Sequence, residues 1–328
     1  MNYLDELKKN YNIDFKSMIS LTGGWLNEKF VVTSTIEKKY VLKELSMKKF
    51  PTNYIKILIN TIKIQNELHN QNILVPKLII NKSKKLVSTF SDNRLFYLQE
   101  FVNGETKAST NITNEEVYSI GKNLALLHLS LKKMNIKPFN SNFLKFKSVI
   151  DLNESLTHKK ENIDSSSSQL YIMQLNNCEK IINDLKKTNF LEQQELQLIH
   201  GDFTLDNIIL FNNEVKAIID FELVRINSKL QDIGRCILSC SFDNGNFDIL
   251  KFKNFLLGYS SVEGLTKSQI IDSLKIVWIN EFDIWIQDKY FKNYNPPKVE
   301  NFIKEIMWIG NNWFDLKKKI GGMYNEFD

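Results

Sequence analysis

The amino-acid sequence predicts an α+β protein with a small, strand-rich first lobe and a larger, mostly helical second lobe. Short β-rich runs joined by turns fill much of the first hundred residues, whereas apolar residues at helical spacing dominate from residue 113 onward. The chain has 328 residues, which is enough for two lobes that each bury a core. We place the lobe boundary at residue 103, so that the lobes comprise residues 1–103 and 104–328.

Composition and charge favour a cytoplasmic protein without nucleic-acid or membrane partners. The 43 Lys and Arg are scattered and nearly balanced by 38 Asp and Glu, and they form no basic tract. The first residues carry acids and do not resemble a signal peptide, and no uncharged apolar run approaches the ~18 residues of a membrane span. Cys178, Cys236 and Cys240 lack metal-site spacing, so we expect reduced thiols.

The first lobe contains a predicted hairpin with a lysine inside its second strand. Residues 29–34 and 40–45 are the strands, followed by a helix over residues 53–71 and a further strand over residues 95–102. Lys43 has two interpretations, as a solvent-facing residue of an edge strand or as a cation for nucleotide phosphates. Gly23 and Gly24 similarly form either a tight turn or a phosphate-binding turn. Taken alone, each feature favours the structural interpretation.

The second lobe begins with a capping box, in which Thr113 is followed three residues later by Glu116. An apolar helical face continues from it and carries His128, which we expect to be packed in the core. No two histidines have metal-ligand spacing, so no structural zinc is predicted. Residues 151–169 are polar and predicted to be a loop, whereas residues 171–189 and 267–316 are predicted to be helical.

The segment at residues 200–222 contains the groups that point to chemistry. Strands over residues 208–211 and 215–219, joined by a turn at Asn212 and Asn213, are predicted to form a hairpin. The hairpin brings Asn207 and Asp220 to the same end. Two oxygen ligands in that position suit a hard cation such as Mg²⁺. Asp202, just before the hairpin, is then positioned to accept a hydroxyl proton.

This segment resembles the aminoglycoside phosphotransferase and choline kinase superfamily. The run His-Gly-Asp-Phe-Thr-Leu-Asp-Asn at residues 200–207 has the spacing of a kinase catalytic loop, and Asp-Phe at 220–221 resembles the start of the D-F-G motif. The Leu-Thr-Gly-Gly turn at 21–24, the Val-Pro at 75–76 and the Asp-Ile-Gly-Arg at 232–235 also fit. The resemblance extends from about residue 21 to residue 259, with a weaker similarity to homoserine-kinase-like and spore-coat-type members.

The resemblance implies a bilobal, protein-kinase-like fold that transfers the γ-phosphoryl group of ATP to a small-molecule hydroxyl. It implies that Lys43 contacts the α- and β-phosphates, that Asp202 is the catalytic base, and that Asn207 and Asp220 hold Mg²⁺. GTP remains open as an alternative nucleotide. The other nucleotide-binding candidates lie in the glycine turn and the hinge at residues 99–102, and they are Gly23, Gly24, Asn27, Glu100 and Val102.

Kinases pair the strand lysine with an acid on the first helix. Glu67 is the candidate partner of Lys43 on the predicted helix, and a solvated carboxylate at the helix end is the alternative.

Departures from the protein-kinase pattern favour a small-molecule acceptor. Gly201 replaces the arginine of H-R-D, Glu222 replaces the glycine of D-F-G, and no A-P-E motif follows. The alternatives are an atypical protein kinase of the same fold and a nucleotide-binding pseudokinase without activity. Since the catalytic positions are filled, the pseudokinase is disfavoured.

The resemblance implies that the acceptor binds among the C-terminal helices. Trp278, Glu281 and Trp285 share one helix face, which either binds a cationic amine or belongs to the core. The core interpretation is favoured for Trp278, whereas Glu281, Asp283 and Trp285 are retained as acceptor candidates together with Glu222. An amino alcohol, amino acid, sugar or aminoglycoside would fit. The sequence leaves open whether the protein is a monomer or a homodimer.

Overall fold

The computed structural model describes residues 3–21, 28–45, 52–134 and 147–325. The chain forms two compact units, the first made of Met1–Thr106 and Asn207–Val224, and the second of Lys107–Asp206 and Arg225–Asp328. The first unit contains an antiparallel sheet and the second is mainly helical, which confirms the predicted α+β class. The segment Asn207–Val224, which sequence analysis grouped with the second lobe, packs with the first unit.

The first unit is built on a five-stranded sheet with the order β1-β2-β3-β5-β4. Its elements, in chain order, are α1 (Tyr3–Asn10), β1 (Phe15–Ser20), β2 (Glu28–Ser34), β3 (Lys39–Leu45), α2 (Thr52–Asn70), β4 (Val87–Thr89) and β5 (Leu95–Glu100). Leu78 forms an isolated bridge with Gln99, with backbone hydrogen bonds from Ile79 to Leu98 and from Glu100 to Lys77.

Side chains alternate between the two faces of this sheet, and only one face packs on α1. Tyr40 and Leu42 of β3 join Leu7 and Tyr11 of α1 in a buried apolar cluster. Because successive residues of a strand point to opposite faces, Lys43 points to the other face. The strand alternation thus places a buried lysine on the face opposite α1.

The predicted hairpin at residues 208–219 is confirmed. Strands β7 (Ile208–Phe211) and β8 (Glu214–Ile218) pair in antiparallel fashion, and Asn212 and Asn213 both have positive φ, at 51° and 61°. Positive φ at both central residues is the conformation that two-residue hairpin turns require. Backbone hydrogen bonds from Ile218 to Leu74 and from Leu210 to Glu105 attach the hairpin to the first unit.

The second unit is a helical assembly with two small strand pairs. Its helices are α3 (Asn114–Lys132), α4 (Val149–Glu161), α5 (Gln169–Leu185), α6 (Leu230–Ser241), α7 (Ile249–Ser260), α8 (Lys267–Trp285), α9 (Asp288–Lys292), α10 (Pro297–Asn311) and α11 (Leu316–Asn325). Strand β6 (Leu196–Ile199) pairs with β9 (Arg225–Ser228), and β10 (Phe242–Asp243) pairs with β11 (Asn246–Phe247). In the described part of the chain, no helix is long and apolar enough to cross a membrane.

The predicted loop over residues 151–169 is wrong, because α4 occupies much of it. Ser148 and Asp151 form a capping box that satisfies the free N–H groups at the start of this helix. Leu152 and Leu156, one helical turn apart, are buried. The abundance of polar residues on the other faces concealed this narrow apolar stripe.

The capping box at Thr113 and Glu116 is confirmed at the start of α3. This helix packs closely on α7, where Gly258 lies against the backbone of Tyr118. A Cβ atom at position 258 would overlap the carbonyl oxygen of Tyr118, which is backbone and cannot rotate away.

Replacing Gly258 with alanine should therefore destabilise the protein by roughly 2–3 kcal/mol, as expected when a well-packed contact is overfilled. Urea unfolding monitored by circular dichroism measures the change. The matched control is Gly264→Ala, because a Cβ atom at that position meets nothing within 4 Å. Equal unfolding midpoints for the two variants would contradict the close approach of α3 and α7.

Candidate active site

A cluster of buried charges surrounds Lys43 in the first unit. The Lys43 ammonium lies 3.1 Å from Asp220 Oδ1 and 3.4 Å from Glu222 Oε1. Its side chain is only 4% exposed, which excludes the solvent-facing interpretation. Burial alone would lower the pKa of Lys43, but the two carboxylates raise it well above its ordinary value. The lysine is therefore held as a cation.

Asp220 follows β8 and adopts an unusual backbone conformation. Its φ of 69° and ψ of 60° lie in the left-handed region, which residues other than glycine seldom adopt. Such strain persists where surrounding contacts hold it, and it is common at functional sites. Burial alone would raise the pKa of Asp220, but Lys43 and Lys29 outweigh it and hold the pKa below its usual range. The side chain is thus a carboxylate anion.

Lys29 is the second cation on Asp220, and sequence analysis missed it. Its ammonium lies 2.7 Å from Asp220 Oδ2, and its side chain is 15% exposed. The sequence placed Lys29 at the start of a predicted strand, but it gave no register between that strand and the strand that carries Lys43. Without the register, the proximity of the two lysines could not be inferred.

Asn207 and Asp220 lie at the same end of the β7–β8 hairpin, as predicted. The backbone N–H of Ile219 donates to the carbonyl oxygen of Asn207 at 2.9 Å, so Asp220 directly follows the residue bonded to Asn207. An amide and a carboxylate are oxygen donors of the kind that Mg²⁺ accepts, and Mg²⁺ commonly takes its remaining ligands from phosphates and water. The donor set therefore fits this cation. Clusters of three or more His, Cys, Asp or Glu that could hold a metal do not occur among the described residues.

The remaining nucleotide candidates are distributed unevenly. Gly23, Gly24 and Asn27 lie outside the residues that the structure describes. Glu100 ends β5 and pairs with Lys38, whereas Val102 follows it half-buried.

Glu67 is not placed beside Lys43. It lies exposed on α2, where it accepts a hydrogen bond from Gln71 one turn later. The carboxylates beside Lys43 come instead from Asp220 and Glu222. The reason is helical phase: Gln65 of the same helix is buried and bonds to Gln99 and Pro76, which leaves Glu67 on the solvent side.

The predicted catalytic loop lies in the second unit, after β6. Gly201 has a φ of 83°, a conformation that favours glycine and gives the Arg-to-Gly departure a local reason. Asp202 is half-buried, and its backbone N–H donates to His200 Nδ1 at 3.3 Å. The loop backbone therefore turns at Gly201, and Asp202 directly follows this turn.

A buried carboxylate, Asp232 of α6, holds this loop. It accepts from the backbone N–H groups of His200 and Gly201 at 2.7 and 2.9 Å, and His128 Nε2 lies 3.3 Å from its Oδ2. Burial alone would raise the pKa of Asp232, but its hydrogen bonds with His128 and with the backbone N–H of Gly201 lower it. The Asp-Ile-Gly-Arg run was part of the resemblance, but the sequence did not predict that Asp232 holds the loop. Its indication in the sequence was an acid that follows the catalytic segment.

Most of the acceptor candidates already have partners within the second unit. Glu281 accepts hydrogen bonds from Arg235 and Trp285, each at 3.0 Å, and Asp283 pairs with Lys147 at 2.6 Å. Lys147 therefore balances the charge of Asp283, whereas Arg235 is shared between Glu281 and the buried Glu305 of α10. Glu222, the fourth candidate, lies in the first unit beside Lys43, as described above.

The aromatic residues on this face divide as the sequence suggested. Trp278 is buried and stacks on Phe282, which confirms the core interpretation. Trp285 is half-buried and stacks on Phe302 of α10 with ring centroids 4.8 Å apart. The guanidinium of Arg235 lies over the same Phe302 ring at 5.0 Å.

Known structures share this fold over nearly the whole chain. A spectinomycin phosphotransferase solved with ADP and spectinomycin has a TM-score of 0.65 and 17% identity, with 97% of both chains covered. An amicoumacin kinase solved with AMP-PNP and Ca²⁺ has a TM-score of 0.66 and 16% identity, with coverage of 95% of this chain and 92% of the kinase. A microcompartment-associated aminopropanol kinase has a TM-score of 0.66 and 14% identity, with coverage of 96% and 97%.

A comparison with curated proteins finds no significant match. The family comparison, by contrast, matches residues 17–265, which is more than half of the chain, to the model described as the phosphotransferase enzyme family. This span contains Lys43, the catalytic loop and Asp220. The resemblance to aminoglycoside phosphotransferases and the prediction of a small-molecule kinase are thus confirmed, and the chain belongs to the phosphotransferase enzyme family.

Proposed function

We propose that this enzyme transfers the γ-phosphoryl group of ATP to a hydroxyl group of a small molecule in a Mg²⁺-dependent reaction. The observation that carries the proposal is the Lys43–Asp220 ion pair, in which a buried ammonium lies 3.1 Å from a carboxylate of the kind that Mg²⁺ accepts. Two proteins of the same fold add support, since the spectinomycin phosphotransferase was solved with ADP and the amicoumacin kinase with AMP-PNP.

Each residue has a defined task in this reaction. Lys43 would bind the α- and β-phosphates, and the oxygens of Asn207 and Asp220 would hold Mg²⁺, which would neutralise charge on the phosphate oxygens. Gly23, Gly24, Asn27, Glu100 and Val102 are proposed to surround the nucleotide. Asp202 accepts the proton of the acceptor hydroxyl, and the oxygen of that hydroxyl forms a bond to the γ-phosphorus. The bond from that phosphorus to the bridging oxygen breaks, and ADP leaves with the electron pair.

The proposed acceptors are amino alcohols, amino acids, sugars and aminoglycosides. Binding of a cationic acceptor by Asp283 would require displacement of Lys147, whereas Glu281 shares the single charge of Arg235 with Glu305. Trp285, half-buried and stacked on Phe302, offers an aromatic surface without such a cost. A thermal-shift screen with AMP-PNP and Mg²⁺ present, including peptides as well as small alcohols, would identify the acceptor class.

Cysteine chemistry supports the cytoplasm as the place of action. Cys178, Cys236 and Cys240 are free and buried, as expected for a protein of a reducing compartment.

Asp202→Asn should reduce turnover by roughly 10²-fold or more, because the amide cannot accept the hydroxyl proton. Coupled measurement of ADP release with an acceptor from the screen reports the effect. Asp315→Asn is the matched control, since Asp315 is an exposed acid of the second unit outside the segment at residues 200–222, and its turnover should stay near that of the wild type. Near-normal turnover of Asp202→Asn would rule out Asp202 as the base.

Asp220→Ala should abolish the enhancement of nucleotide binding by Mg²⁺, because the variant lacks the carboxylate ligand. Calorimetric titration with AMP-PNP, in Mg²⁺ and in EDTA, measures the enhancement directly. Glu214→Ala removes an exposed acid near the turn of the same hairpin and should keep the enhancement. A Mg²⁺ effect of wild-type size in Asp220→Ala would contradict the metal assignment.

A further inference from the structure

Lys29 and Lys43 stand directly opposite each other on neighbouring strands. The antiparallel register of β2 and β3 pairs Lys29 with Lys43, so both side chains point to the same face of the sheet. Like charges in directly opposite positions destabilise a sheet. A pair of this kind on a largely buried face therefore requires an anion between the two ammonium groups.

Asp220 is that anion, and it gives one carboxylate oxygen to each lysine. Oδ1 lies 3.1 Å from the Lys43 ammonium, and Oδ2 lies 2.7 Å from the Lys29 ammonium. Glu222 provides a second negative charge, but on the side of Lys43. Two lysines thus face two carboxylates in this cluster, and Lys29 shares with Lys43 the carboxylate that is proposed to bind Mg²⁺.

A metal cation bound to Asp220 would change the balance of charge in this cluster. Mg²⁺ and the Lys29 ammonium compete for the same carboxylate and repel each other, since both are positive. Once Asp220 binds the metal, Lys29 needs another anion, because an unpaired charge in a mostly buried position is costly. The nucleotide brings several negative oxygens to the same place, and the long flexible stem of lysine allows the ammonium to move to them.

We propose that Lys29 is a second phosphate-binding lysine, which pairs with Asp220 and moves to the nucleotide phosphates when Asp220 binds Mg²⁺. The proposal rests on the proposed function, because it takes Asp220 as the metal ligand. It assigns Lys29 two successive partners, and the exchange links metal binding to nucleotide binding. Lys29 should therefore strengthen nucleotide binding when Mg²⁺ is present. Without Mg²⁺, Lys29 stays paired with Asp220 and should contribute little to nucleotide binding.

The test is calorimetric titration of AMP-PNP into the wild type and Lys29→Met, each in Mg²⁺ and in EDTA. In Mg²⁺ the variant should bind about tenfold more weakly, because one charge-assisted contact is lost. In EDTA the two proteins should agree within about twofold. Lys16→Met is the matched control, since Lys16 lies in β1 of the same sheet in an exposed pair with Glu37, and it should behave as the wild type in both conditions.

Lys29→Arg is a second variant, which retains the positive charge and so keeps the test valid if Lys29→Met fails to fold. It should bind AMP-PNP in Mg²⁺ within about threefold of the wild type, and thermal unfolding of each variant confirms its folding. Equal affinities of the wild type and Lys29→Met in Mg²⁺, or the same loss in Mg²⁺ and EDTA, would overturn the role of Lys29 alone. A wild type that binds no AMP-PNP in either condition would overturn the proposed function as well.

Discussion

The carboxylate of Asp220, held between the ammonium groups of Lys29 and Lys43, makes the contacts on which the charge cluster of the first unit depends. Buried charges are tolerated only when they are paired, and here one carboxylate satisfies two cations. The pairing requires the β2–β3 register, which places the lysines opposite each other. It also requires the left-handed backbone at Asp220, which follows the β7–β8 hairpin. The strand register and the hairpin geometry thus together determine the position of the Asp220 carboxylate between the two lysines.

In the second unit, a buried carboxylate holds a short polar loop in one conformation. Backbone N–H groups of a loop need partners when they are buried, and the carboxylate of Asp232 accepts from two of them. His128, carried by α3, lies against the same carboxylate and thereby links this helix to α6. The conformation of the loop that carries Asp202 therefore depends on a buried acid and a buried histidine.

Sequence reasoning succeeded where the signal was local and failed where it depended on tertiary pairing. The hairpin at 208–219 and the capping box at Thr113 follow from neighbouring residues, and both are confirmed. Helix α4 was missed because its apolar stripe consists of few residues in a polar segment. Lys29 and Glu67 show the other limit: strand register brings Lys29 to Asp220, and helical phase turns Glu67 to solvent. Neither register nor phase could be inferred from the residue types alone.

The most direct test of the account is the thermal unfolding midpoint of the wild-type protein with AMP-PNP, Mg²⁺, both, or neither. A ligand that binds only the folded state at about 100 times its Kd stabilises it by about 2.7 kcal/mol. If the Lys29–Asp220–Lys43 cluster is a site for a metal–nucleotide complex, the large upward shift requires both ligands together. An equal shift from AMP-PNP in EDTA would contradict the account.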